Sequence, residues 1–159
     1  MKPSVQEIYE TYSRSIYDAS FSITGSSHDA EDILQETLIS YLQYKKDFSS
    51  TEHLKAWLLR VAINKSRDLK RRFWNRNRVS FEDYLNDVFQ TESEDKELLT
   101  ALMKFPEKQR IVLHLHYYEG YSVSEISSLL KIPEGTVKSR MTNGRNALKE
   151  LLKEENSDE

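Results

Sequence analysis

The sequence contains no cysteine, only four glycines and three prolines among 159 residues, and no long uncharged apolar run. The absence of cysteine excludes disulfide bonds, thiolate zinc sites and cysteine nucleophiles, and it favours the reducing cytoplasm as the compartment. Apolar stretches such as AWLLRVAI are interrupted by charge and are far shorter than the roughly 20 residues of a membrane-spanning helix. Because charge begins at Lys2, we expect no signal peptide, and the short apolar runs predict no membrane insertion.

Few helix breakers and many Leu, Glu, Lys and Ser favour helix over strand, so we predict an all-α fold of two small helical domains. In the first half, apolar residues recur at steps of three and four. They predict one helix that ends before a turn at Gly25, a second over 28–46 and a third over 51–73. The buried faces are predicted to include Tyr9 in the first helix and Leu42 in the second.

Four helices are predicted in the second half of the chain. A short one spans 98–103, and Pro106 is placed to start the next, whose apolar face contains Ile111. Ser122 and the Glu three residues later form an S-x-x-E capping box that opens the third. After a tight turn at 131–133, the last helix runs from 134 to 152.

The net charge of -3 conceals a strong segregation of charge along the chain. Residues 55–78 hold nine cations and one acid, whereas residues 82–97 hold seven acids and one cation. Such a reversal marks a boundary, and the acidic stretch also lacks helical periodicity. We therefore predict domains at 1–76 and 96–154, joined by an acidic linker at 77–95 and followed by a frayed tail at 155–159.

Catalytic patterns are absent from the sequence. The four histidines have no H-x-x-x-H spacing, and there is no Gly-rich phosphate loop. Asp29, Asp32 and Glu36 could suggest a metal site, but they form one row without a second set of ligands. That row is either a solvated helix face or a protein-docking face. We predict no catalytic residue, no metal and no cofactor.

Two segments favour nucleic-acid binding. Residues 57–78 interleave cations, which can cover phosphate charge, with Trp57, Phe73 and Trp74, which can stack on bases. The alternative is a core Trp57 on a helix with a solvated cationic back. The helices on either side of the 131–133 turn have the outline of a helix-turn-helix, for which an ordinary helical hairpin is the alternative.

Taken together, these segments resemble the extracytoplasmic-function (ECF) sigma factors of bacterial RNA polymerase. DAEDILQETLISYLQY at 29–44 and HLKAWLLRVAINKSRDLKRR at 53–72 are similar to sigma region 2. FPEKQRIVLHLHYYEGYSVSEISSLLKIPEGTVKSR at 105–140 is similar to region 4. Both blocks occur in the family's order, and only a short linker separates them.

The resemblance implies roles for the residues that match the family's motifs. Polymerase docking is assigned to Asp32, Gln35 and Glu36. Melting and recognition of the minus-10 element are assigned to Trp57, Arg60, Asn64, Lys65 and Arg67, with the segment 48–53 as the specificity element. Contacts with the duplex minus-35 element are assigned to Lys138, Ser139, Arg140, Asn143 and Arg145.

One stretch departs from the family pattern. After Arg140 the family usually has a large side chain, an Arg, a small Ala and another Arg, whereas this chain has MTNGR. Thr142 and Asn143 replace groups that commonly touch DNA, and Gly144 lowers helix stability by ~1 kcal/mol relative to Ala. We therefore expect minus-35 recognition to be unusual or weak.

The resemblance implies a cytoplasmic protein without enzymatic activity. Its partners would be core RNA polymerase, promoter DNA and an anti-sigma factor, and its function would be promoter recognition, DNA melting and transcription initiation. The alternative is a stand-alone helix-turn-helix regulator, which explains the second block but leaves DAEDILQE and the cationic helix without a role. A metal-dependent helical hydrolase would need ligands on two helices, and the sequence supplies no such set.

Overall fold

A computed structural model describes the backbone of residues 2–77 and 105–157, and every regular element in those ranges is helical. The chain divides into two units, Met1–Ser80 and Phe81–Glu159, which confirms the prediction of an all-α fold with two small domains. The predicted helix at 98–103 and all but the first residue of the acidic linker predicted at 77–95 lie outside the described residues, and that first residue, Asn77, is helical. No helix in the described ranges is both long and apolar enough to cross a membrane.

The first unit contains α1 (Val5–Thr24), α2 (Ser27–Gln43) and α3 (Thr51–Asn77). Ser4 caps α1 by accepting a hydrogen bond from the backbone N–H of Glu7, and Gly25 ends it in the left-handed region at φ 68°. Ser26 then caps α2. Helix α2 ends three residues before the predicted end at 46, whereas α3 continues four residues beyond 73.

The three helices pack around one apolar core. Its main buried members are Ile8, Ile16, Ile33, Tyr41, Leu54, Leu58 and Ala62. The predictions for Tyr9 and Leu42 were wrong, because these side chains are 53% and 62% exposed. The buried positions of α2 are Ala30, Ile33, Thr37 and Tyr41, and Leu42 is rotated away from Tyr41 by about 100° around the helix.

The second unit contains α4 (Glu107–Leu113), a π-helical turn (His114–Tyr118), α5 (Val123–Leu130) and α6 (Glu134–Ser157). The capping box is confirmed, since Ser122 and Glu125 each accept the other's backbone N–H at 3.1 Å. Helix α6 runs five residues beyond 152, so the predicted frayed tail is helical through Ser157. The buried core is formed by Ile111, Val112, Leu115, Ile126, Leu129, Leu130, Val137 and Met141.

Gly144 lies on α6 at a point of close contact with Leu113 of α4. A Cβ atom at this position would be 2.7 Å from Leu113 Cδ1 and 3.2 Å from Leu113 Cγ. Carbon atoms normally pack at about 3.5–4.0 Å, so the missing side chain allows the two helices to pack. The sequence indicated only a cost in helix propensity at Gly144, whereas the structure adds a packing role.

Candidate polymerase-binding and DNA-binding surfaces

The predicted docking residues Asp32, Gln35 and Glu36 lie together on α2. All three are exposed, and their spacing of three and four residues places them on one helix face. We call these three residues the α2 row. His28 Nε2 lies 3.5 Å from Asp32 Oδ2, with both side chains largely exposed. The α2 row is therefore available to a partner protein.

A groove lined by both apolar and charged side chains adjoins the α2 row. Gln35 lines this groove of about 390 Å³ together with Leu34 and Leu38 of α2 and Tyr9 and Tyr17 of α1. Tyr9, which the helical periodicity placed in the core, instead lines this groove. A partner that contacts the α2 row would also meet apolar surface.

Asp29 differs from the members of the α2 row. Burial raises the pKa of Asp29 and the nearby negative charge of Asp32 raises it further, whereas His28 opposes the shift. The backbone N–H of Asp29 donates to Ser26 Oγ at 3.1 Å. Asp29 therefore belongs to the start of α2 rather than to its exposed acidic surface. In the described part of the chain, no group of three or more His, Asp or Glu could hold a metal ion.

Four of the predicted minus-10 residues share one face of α3. Trp57, Arg60, Asn64 and Arg67 follow each other at steps of three or four, and we call them the α3 stripe. Asn64 is exposed and the other three are half-buried. The buried residues of this helix, including Leu58 and Ala62, lie on the opposite side. The α3 stripe therefore carries one exposed amide between two half-buried cations.

Lys65 lies outside the α3 stripe, about 100° around the helix from Asn64, on the side that meets α2. Its Nζ is 3.9 Å from Glu36 Oε2, with 33% and 61% of the respective side chains exposed. Exposed pairs of this kind contribute about 0–1 kcal/mol. The contact nevertheless shows that the α2 row and the predicted minus-10 residues are adjacent surfaces of the same unit.

An aromatic cluster covers the junction between α2 and α3. It consists of Tyr41, Tyr44, Phe48, His53 and Trp57. The ring centroid of Trp57 lies 4.7 Å from that of Tyr44 and 5.6 Å from that of Phe48, and Phe48 contacts the ring of His53 at 5.3 Å. Trp57 is thus half-buried among other rings rather than an isolated platform. The cluster also connects Trp57 to the predicted specificity segment 48–53.

The helix-turn-helix is formed by α5, a tight turn and α6. Lys131 adopts the left-handed conformation at φ 57°, and Ile132 N–H donates to Ser127 O at 3.1 Å. On α6, the predicted minus-35 residues Lys138, Ser139 and Asn143 are exposed and Arg140 is half-buried. These four residues begin one turn after the start of α6, the part of such a helix that enters the major groove.

Arg145 is exposed but has a partner within the protein. Its Nη1 donates to Tyr117 Oη at 2.9 Å, in the π-helical turn that the sequence did not reveal. Arg145 also lines an apolar cavity of about 550 Å³ with Leu113, Tyr118 and Leu148. Arg145 is therefore directed towards the turn rather than grouped with Ser139 and Asn143.

Comparisons with known proteins agree with both blocks. The family model for sigma-70 region 2 matches residues 8–76, and that for sigma-70 region 4 matches residues 95–148. The ECF RNA polymerase sigma factor SigX of Bacillus subtilis is 29% identical over 175 residues, which cover 100% of this chain and 90% of SigX. SigM of the same organism is 30% identical over 164 residues, which cover 98% of this chain and 99% of SigM.

A solved structure has the same fold. The sigma factor RpoE of Bartonella quintana, crystallised with the anti-sigma factor NepR, superposes with a TM-score of 0.73 at 22% identity. The match covers 93% of this chain and 96% of RpoE. The family itself is shown by the 30% identity to SigM over nearly the whole of both chains and by the two family-model matches: the chain belongs to the ECF family of RNA polymerase sigma factors.

Proposed function

We propose that the first unit divides its tasks between two neighbouring surfaces, with the α2 row binding core RNA polymerase and the α3 stripe, with Lys65, binding the minus-10 DNA. The observation that carries this proposal is that the acidic groups are exposed on α2 whereas the basic groups are half-buried on α3, and that the two sets meet at the Glu36–Lys65 contact. DNA is repelled by the carboxylates of the α2 row and attracted by the α3 cations. A protein and a nucleic acid can therefore bind side by side.

Within the minus-10 surface, we assign separate tasks to the side chains. Arg60, Lys65 and Arg67 neutralise phosphates, which supplies affinity without reading sequence. Asn64 is exposed, and its amide can hydrogen-bond to the edge of an unpaired base. Trp57 supports the melted strand from within the aromatic cluster, where Phe48 extends the surface into the specificity segment 48–53. This division is supported by the positions of these residues on α3.

For the second unit, we propose that α6 enters the minus-35 major groove. Lys138 contacts phosphate, while Ser139, Arg140 and Asn143 lie closer to the bases. Arg145, held by Tyr117 Oη, fixes the position of α6 against the π-helical turn and contacts the DNA backbone. We assign this unit to residues 96–154, the polymerase-docking and minus-10 unit to 1–76, and the connection to the acidic segment 77–95.

The partners follow from these surfaces. We propose that the chain supplies no catalytic group and acts in the cytoplasm, where core polymerase carries out RNA synthesis. An anti-sigma factor is a further proposed partner, supported by the fold shared with RpoE, which was crystallised with NepR. Such a factor would prevent transcription by covering the surfaces that polymerase and DNA require.

The docking proposal is tested by the paired substitution Asp32→Ala with Glu36→Ala. Removing charged groups from a docking patch costs ~2 kcal/mol or more, so affinity for purified core polymerase should fall by at least about 30-fold. The matched control is Glu10→Ala with Glu150→Ala, which removes two exposed acids elsewhere. Unchanged helicity by circular dichroism excludes unfolding. Equal loss of affinity in both double variants would contradict a specific docking row.

The minus-35 proposal is tested by comparing Lys138→Ala with Arg140→Ala in reconstituted holoenzyme. Loss of a phosphate contact should weaken all promoters similarly and lower the slope of log K against log salt by ~0.9. Loss of a base-reading Arg should cost ~1–3 kcal/mol on the cognate element only. If Arg140→Ala holoenzyme discriminates between minus-35 variants as well as the parent does, the proposed base contact of Arg140 is wrong.

A further inference from the structure

Lys2 connects the segment before α1 to the far end of α2. Its Nζ donates to the backbone oxygen of Tyr41 at 3.1 Å and also to the backbone oxygen of Tyr44. The same ammonium group lies 4.6 Å from the ring centroid of Tyr41 and 5.7 Å from that of Tyr44. Two carbonyls and two aromatic rings therefore surround one half-buried cation.

This contact adds a cation to the C-terminal end of α2, where the Tyr41 carbonyl already accepts from the backbone N–H of Tyr44 at 3.2 Å. The last turn of α2 contains no basic residue, and Tyr44 leaves the helix in an extended conformation. Carbonyls at a helix C-terminus lack intrahelical donors and carry partial negative charge, which a cation stabilises. Lys2 supplies that cation from about 40 residues away in sequence. Tyr41 Oη also donates to the Pro3 carbonyl, so that the segment is held at two points.

The residues that Lys2 holds are those that support the segment 48–53. Tyr44 stacks on Phe48 at 5.3 Å and contacts Trp57 at 4.7 Å. Tyr41 stacks on Phe48 at 6.3 Å and meets Trp57 edge-on at 6.5 Å. A displacement of the Tyr44 backbone would therefore move the rings against which Phe48 and Trp57 are packed.

We infer that Lys2 is a positioning residue for minus-10 recognition. Its ammonium group fixes the end of α2 and, through Tyr41 and Tyr44, the orientation of Phe48 and Trp57. Lys2 itself need not touch DNA. This inference rests on the proposed role of the α3 stripe and the segment 48–53. It adds a determinant that lies outside both sequence blocks.

The experiment uses full-length holoenzyme at saturating core, on a promoter that the parent protein opens. Lys2→Met keeps the length of the side chain but removes its charge and hydrogen bonds, whereas Lys2→Arg keeps the cation. Lys108→Met, an exposed lysine on α4, controls for the loss of one positive charge. The readouts are permanganate reactivity of unpaired thymines on cognate and substituted minus-10 elements, and affinity for core polymerase.

We expect Lys2→Met to reduce discrimination between cognate and substituted minus-10 elements by about tenfold, since displacement of a recognising group by 1 Å can cost up to ~10²-fold. Affinity for core should be unchanged, Lys2→Arg should restore most of the discrimination, and Lys108→Met should behave like the parent. In a Trp74→Phe background, Trp57 is the sole tryptophan. Acrylamide should then quench the fluorescence of Trp57 more strongly in Lys2→Met than in the parent.

Two results would overturn the inference. The first is Lys2→Met holoenzyme with normal discrimination, because a residue that only stabilises the fold lowers the melting temperature but leaves the ratio between promoters unchanged. The second is failure of Lys2→Arg to restore discrimination. A failure of the proposed function is distinguishable, since Asn64→Ala would then also leave promoter melting intact.

Discussion

Gly144→Ala should destabilise the second unit, although alanine is the better helix former. In an isolated helix the change would gain ~1 kcal/mol. In this protein the new Cβ would lie 2.7 Å from Leu113 Cδ1 and 3.2 Å from Leu113 Cγ, so Leu113 must turn or α4 and α6 must separate. Overpacking of this kind costs about 1–3 kcal/mol. We expect a net loss of up to ~2 kcal/mol.

The chain contains a matched control for this prediction. Gly135 is also in α6, and a Cβ added there meets no atom within 4 Å. Gly135→Ala should therefore keep the gain in helix propensity. Hydrogen exchange of α6 amides in the full-length protein gives the free energy of opening for each variant. Leu113→Ala removes the side chain that the new Cβ would meet. The double variant Gly144→Ala with Leu113→Ala should therefore lose less stability than the sum of the two single changes. Equal protection in Gly144→Ala and Gly135→Ala would refute the close-packing explanation.

Three further predictions concern local contacts. Ser122→Ala should lower the protection of α5 amides by ~1 kcal/mol, because it removes one half of the capping box; unchanged hydrogen exchange would contradict this. Lys65→Met should leave the urea midpoint nearly unchanged, since its pair with Glu36 is solvent-exposed, but should lower the salt dependence of holoenzyme–promoter binding. Burial raises the pKa of Asp29 in the folded protein, so folding favours the protonated carboxyl. The stability that this protonated form contributes is lost as the pH rises through the pKa of Asp29 in the folded protein. Asp29→Asn should therefore be at least as stable as the parent in urea at neutral pH and lose that advantage below the ordinary aspartate pKa.

Features set by neighbouring residues in sequence were predictable. The capping box of Ser122 and Glu125 depends on residues three apart, and the helix-turn-helix follows from two amphipathic segments around a short turn. The spacing of Asp32, Gln35 and Glu36 likewise predicts that these residues share one helix face, as they do in the structure. Their proposed contacts with polymerase remain a prediction.

Features that depend on distant contacts were not predictable from the sequence. The contact of Lys2 with Tyr41 and Tyr44 joins segments about 40 residues apart, and no periodicity reports it. The π-helical turn places one additional residue in the helix after α4, which a pattern of 3.6 residues per turn does not reveal. The sequence indicates only that Gly144 weakens its helix, because the reason for a glycine, the close approach of Leu113, lies on another helix.

The most direct test of the central claim is promoter opening by holoenzyme reconstituted with Asn64→Ala. At saturating core polymerase, this variant should bind core with the affinity of the parent but show reduced permanganate reactivity in the minus-10 region, because the base contact proposed for Asn64 would be lost. The double variant Asp32→Ala with Glu36→Ala should show the opposite defect. It should bind core polymerase weakly, and its promoter opening should recover when the concentration of core polymerase is raised. Normal melting by Asn64→Ala, or loss of core binding in that variant, would contradict the division of polymerase and DNA binding between α2 and α3.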